Sequence, residues 1–101
     1  PVQAKPISTF PPVKQDLAFT VSTDVTAAEL KQVIVEAAGD SLESIELFDV
    51  YTGDQLGEGE KSLAYAVTFR APDKTLASED SEAIRKRIVD EASKLGAQLR
   101  A

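Results

Sequence analysis

The chain has 101 residues, 43% of them hydrophobic, and a net charge of −6. That is enough for one domain with one core, and too apolar for general disorder. It contains no Cys, His, Met or Trp, which excludes disulfides, thiolate or imidazole metal sites, and Cys or His catalysis.

Other exclusions follow. No apolar run reaches membrane-spanning length, so no membrane partner is expected, and no basic-then-apolar start marks a signal peptide. No acidic cluster has convincing metal-ligand spacing. The first residue is proline, so the chain is expected to be a piece of a longer protein or to have a processed start. The acidic balance argues against strong autonomous binding to nucleic acid. Acids crowd into 36–60 and 79–82, while Arg85, Lys86, Arg87, Lys94 and Arg100 come late.

Residues 1–12 hold Pro1, Pro6, Pro11 and Pro12 and read as an extended arm or linker, because proline cannot donate to a ladder. The domain proper is expected over 13–101. Residues 16–22 alternate, with Leu17, Phe19 and Val21 on one side, and predict a strand. Thr26-Ala27-Ala28-Glu29 is a capping-box pattern. Leu30, Val33, Ile34, Ala37 and Ala38 continue it at helical spacing until Gly39.

Residues 43–51 predict a second strand, 52–60 a glycine-rich hairpin loop, and 61–71 a third strand. Ser78 is the expected cap of a second helix running through Leu95, with Glu79 and Asp80 in its first turn. Gly96 ends that helix, and Ala97-Gln98-Leu99-Arg100 reads as a short last strand.

The order β-α-β-β-α-β, with one apolar row per strand, predicts an α+β ferredoxin-like fold. Two helices would cover one face of a four-stranded antiparallel sheet and leave the other open. Pairing Tyr51 with Ser62 puts Asp49 opposite Ala64, Val50 opposite Leu63 and Phe48 opposite Tyr65. The open face then shows Asp49, Tyr51, Ser62, Ala64, Ala66, Thr68 and Arg70. Ala18, Thr20, Gln98 and Arg100 join from the outer strands.

A ring beside small residues suits stacking on a nucleobase, and single-stranded RNA is read by stacking plus hydrogen bonds to base edges. A carboxylate repels phosphate, yet it can accept the two adjacent N–H groups of guanine. Asp49 is as readily a salt-bridge partner of Arg70 or Lys61, and the spacing does not choose. Lys61, Arg70 and Arg100 are candidates for phosphate contact. The glycine loop lacks the ending of a phosphate-binding P-loop and reads as a hairpin connection.

Five segments in order carry a resemblance: Pro6-Ile7-Ser8-Thr9-Phe10-Pro11, Asp16-Leu17-Ala18-Phe19, Leu47-Phe48-Asp49-Val50-Tyr51, Gly57 through Ala64, and Thr68 through Leu76. Together they resemble the ferredoxin-fold anticodon-binding family, the C-terminal domain of bacterial phenylalanyl-tRNA synthetase β subunits. One departure is Lys14-Gln15, where the family often has two basic residues.

The resemblance implies binding of the tRNA-Phe anticodon stem and loop. Tyr51 would stack on the first anticodon base, a guanine, with Asp49 and Ser62 bonding its edge. It implies no catalytic or metal residue and no cofactor in this domain. The parent would be a cytoplasmic ligase using ATP and magnesium, with the rest of the β subunit and the α subunit as partners in an α2β2 assembly. Other readings remain on the same plan. One is a regulatory ligand-binding or dimerisation domain. Another is an acylphosphatase-like hydrolase, for which Phe10 to Gln15 supplies no phosphate loop.

Overall fold

A computed structural model describes residues 12–52, 59–71 and 75–100. The proline-rich arm expected over 1–12, apart from Pro12, and the core of the hairpin loop at 53–58 lie outside the described residues.

The elements run β1 (Val13–Ser22), α1 (Ala27–Ala38), a 3-10 turn (Gly39–Ser41), β2 (Leu42–Tyr51), β3 (Glu60–Phe69), α2 (Ser78–Ser93) and β4 (Gln98–Leu99). The four strands form one antiparallel sheet in the order β2-β3-β1-β4. This is the expected β-α-β-β-α-β plan. β1 begins three residues earlier than its alternation suggests, because Val13, Lys14 and Gln15 pair with Phe69, Thr68 and Val67.

α1 starts where its box predicts. The Thr26 hydroxyl accepts the Glu29 N–H at 3.0 Å, and Glu29 Oε1 accepts the Thr26 N–H at 2.9 Å. These bonds satisfy donors that have no partner inside the helix. They also hold the Glu29 carboxyl below its usual pKa, chiefly through the Thr26 backbone N–H. Gly39, at φ 63°, ends the helix, in backbone space that costs a residue with a Cβ.

α2 corrects the expected cap. Ala77, not Ser78, is the N-cap, and Ser78 is already helical. Asp80 decides this by accepting the Ala77 N–H at 3.0 Å. Ala77 has no side-chain oxygen to return the bond. The helix stops at Ser93, two residues before Leu95, and Gly96 at φ 83° turns the chain into β4.

The core lies between the helices and one face of the sheet. Leu17, Phe19 and Val21 from β1, with Leu63, Tyr65, Val67 and Phe69 from β3, are all buried. Leu30 and Ile34 of α1, and Ile84, Ile88 and Ala92 of α2, close over them. Tyr65 is wholly buried, and its hydroxyl donates to the Ala27 carbonyl at 2.6 Å. Burial pushes its pKa up to about 12, because a phenolate there would lose its water. The Arg87 Nε–H donates to the Ala37 carbonyl at 3.2 Å, tying α2 to the end of α1.

Candidate nucleic-acid interface

The face of the sheet away from the helices is built by pleat alternation. On β3, Ser62, Ala64, Ala66 and Thr68 point away from the core positions Leu63, Tyr65, Val67 and Phe69. Their β1 partners are Thr20, Ala18, Asp16 and Lys14. Their β2 partners are Tyr51, Asp49, Glu46 and Ser44. Gln98 pairs with Thr20 from β4, and the Arg100 N–H donates to the Ala18 carbonyl at 2.7 Å.

Tyr51, Asp49 and Ser62 therefore share this face, as their alternation predicts. Tyr51 is directly across from Ser62, and Asp49 is across from Ala64, one pleat repeat away. Ser62 and Ala64 are only 5% and 8% exposed. They are short side chains on a central strand, between flanking residues of two neighbours. They make a floor, with Tyr51 at 38% exposure standing over its edge.

The register departs from expectation at one point. Tyr65 faces Leu47, not Phe48, because β2 carries two irregularities, between Leu42 and Ser44 and between Leu47 and Asp49. Each adds one residue, Glu43 and Phe48, to the edge strand. The two added residues shift the alternation phase of β2, so that Leu42, Ile45, Leu47 and Val50 fall on the helix side. The hairpin end, from Asp49 to Tyr51, keeps the expected pairing. Sequence alternation cannot show this, because an apolar pair such as Leu47-Phe48 fits either phase.

The alternative pairing of Asp49 does not form. Arg70 Nε lies 2.8 Å from Glu43 Oε1, an ionic contact whose N–H is not aligned for a hydrogen bond. Lys61 alternates to the helix side opposite Val21, where its charge acts on Glu29. Among the described residues Asp49 has no hydrogen-bond or ion-pair partner.

Of the six candidates, five are associated with one face: Asp49, Tyr51 and Ser62 by register, Arg70 one step beyond Phe69, and Arg100 beside Ala18. Lys61 is not. Sequence reasoning left Asp16, Glu43, Glu46 and Phe48 out of this face. The face is consequently rich in carboxylates, which suits contact with bases and edge donors better than a broad grip on phosphate.

No helix among the described residues is long and apolar enough to cross a membrane. No group of three or more acidic side chains among them is placed to hold a metal ion. A groove of about 440 Å³ between the helices, lined by Val33, Glu36, Ala37, Arg87, Asp90 and Glu91, lies on the opposite side of the sheet.

A split βαβ fold with an open, aromatic-bearing sheet face places the chain in the ferredoxin-like class of α+β domains. The particular family is given by comparison: the model described as "Ferredoxin-fold anticodon binding domain" matches residues 8–100, and the chain belongs to that family. It is 74% identical over its whole length to part of the phenylalanine–tRNA ligase beta subunit of Bifidobacterium longum. It is 51% identical to that of Thermobifida fusca over 96% of the chain, and 49% identical to that of Mycobacterium leprae over 96%. In each case the chain spans 12% of the relative's length.

Proposed function

We propose that this domain is the anticodon-reading module of a phenylalanine–tRNA ligase beta subunit. It would read the first anticodon base on the open sheet face. The observation that carries the proposal is the joint projection of Tyr51, Asp49 and Ser62 from that face, with Asp49 unpaired among the described residues. A phenol ring over a floor of small residues offers a stacking surface, worth roughly 1–3 kcal/mol per base. A free carboxylate accepts adjacent N–H donors, which the Watson–Crick edge of guanine presents, and the Ser62 hydroxyl adds one further donor or acceptor.

Arg70 and Arg100, at the margins of the face, are assigned to phosphates of the loop. Lys61 is the weakest candidate, since it points to the other side. The partners are a tRNA-Phe anticodon stem-loop, the remainder of the β subunit, and an α subunit in an α2β2 assembly. The ATP and magnesium that ligase chemistry uses belong to the rest of that parent, working in the cytoplasm. This domain supplies recognition and no catalytic group. The regulatory-domain alternative has no comparable support in the site.

The test is titration of the complete ligase with tRNA-Phe and with first-position anticodon variants. Asp49→Asn is expected to narrow the preference for guanine by about tenfold, because an amide offers an acceptor at only one end of a contact that needs two. An unchanged ratio between guanine and adenine tRNAs would remove Asp49 from the reading.

A further inference from the structure

We infer that Phe48 is a second stacking platform, which holds the anticodon-loop base next to the one on Tyr51. The inference rests on the proposed anticodon reading and extends it.

The argument begins at the second irregularity of β2. Leu47 pairs with Tyr65 on the core side, and Asp49 pairs with Ala64 on the open side. Phe48 follows Leu47 by one pleat, so it turns to the open side. The extra residue then keeps Asp49 there instead of returning it to the core side. Phe48 and Asp49 thus stand at one register position, both over Ala64.

The first irregularity gives an independent check. Glu43 occupies the same kind of position, and its carboxylate reaches Arg70 at 2.8 Å. Arg70 is one pleat beyond the core residue Phe69, hence on the open side. An extra residue on β2 does project from this face.

Phe48 is 51% exposed. An exposed aromatic on an edge strand invites unwanted association and is usually avoided. Here it sits two residues of register from Tyr51, about 7 Å at ~3.4 Å per residue. By register, the described residues place Asp49 and the small floor residues Ser62 and Ala64 between these two positions on the open side. The face carries Asp16, Glu43, Glu46 and Asp49 beside Lys14, Arg70 and Arg100, and Glu43 is already paired with Arg70, so its carboxylates offset much of its attraction for phosphate and stacking adds to the binding. Phenylalanine has no polar handle, so this platform tolerates any base, while Asp49 discriminates.

The test uses the complete ligase and tRNA-Phe bearing 2-aminopurine at the second anticodon position. Phe48→Leu keeps apolar bulk and removes the ring; Phe48→Tyr keeps the ring. We expect Phe48→Leu to weaken tRNA binding about 5- to 30-fold and to raise the bound 2-aminopurine fluorescence, with Phe48→Tyr close to wild type in both. The loss should be equal for first-position variants of the tRNA. If Tyr51→Ala weakens binding and Phe48→Leu does not, the second platform is refuted and the reading at Tyr51 stands. If Phe48→Leu and Phe48→Tyr weaken binding alike, the ring is not stacked and the inference fails. If neither Tyr51→Ala nor Phe48→Leu has an effect, the anticodon reading on this face falls with it.

Discussion

Replacing Tyr65 by Phe separates two contributions of one buried group. The ring stays, so the core keeps its volume. The hydroxyl is lost, and with it the 2.6 Å hydrogen bond to the Ala27 carbonyl that ties β3 to the start of α1. A bond of this kind contributes about 0.5–1.5 kcal/mol, so the variant should be less stable by about 1 kcal/mol at pH 7.

The second contribution has a pH signature. The Tyr65 pKa rises from its ordinary 10 to about 12 in the fold. A raised pKa means that the folded state favours the neutral phenol. The associated stability is complete below pH 10 and is lost as pH climbs from 10 through 12. Two pKa units set a ceiling of about 2.7 kcal/mol. Urea unfolding at a series of pH values from 7 to 11.5, with wild type and Tyr65→Phe in parallel, measures both contributions. The two stability curves should converge above pH 10. Curves that fall in parallel would show that Tyr65 is not titrating against its burial, and would refute the reasoning.

Two further outcomes concern the helix start. Thr26→Ala should lower stability by about 1 kcal/mol, because the Glu29 N–H loses its cap, and a thermal melt reads this directly. Glu29, whose pKa is lowered in the fold, contributes stability above its unfolded pKa that disappears as pH falls through the folded one. Glu29→Gln should therefore flatten the acid limb of the stability curve below about pH 4.5. A steeper limb in the variant would contradict the capping assignment.

Much of the molecule was legible from local pattern. Leu17, Phe19 and Val21 announce β1 because a pleat sends alternate residues to opposite sides. Thr26 and Glu29 announce α1 because their reciprocal bonds need only four neighbouring residues. The pairing of Tyr51 with Ser62, and the common face of Asp49, Tyr51 and Ser62, also follow from alternation on two adjacent strands.

Less legible were features that depend on distant partners. Ser78 and Ala77 compete as caps, and Asp80 settles the choice through geometry that composition does not reveal. Asp49 was the carboxylate expected to reach Arg70, whereas the added residue Glu43 brings its own carboxylate to 2.8 Å. The side of the sheet that Lys61 takes, opposite Val21 and near enough for its charge to act on Glu29, is likewise set by the register.

The primary structure alone determined the order and kind of the strands and helices, though not their ends, since these depend on periodicity within a short window, and one apolar row per strand then implied that one side of the sheet would stay uncovered. The phase of β2 was a matter for the assembled sheet. Only when β2 lies against β3 do Glu43 and Phe48 become extra residues, because a ladder compares two strands and a single strand carries no record of what its partner omits.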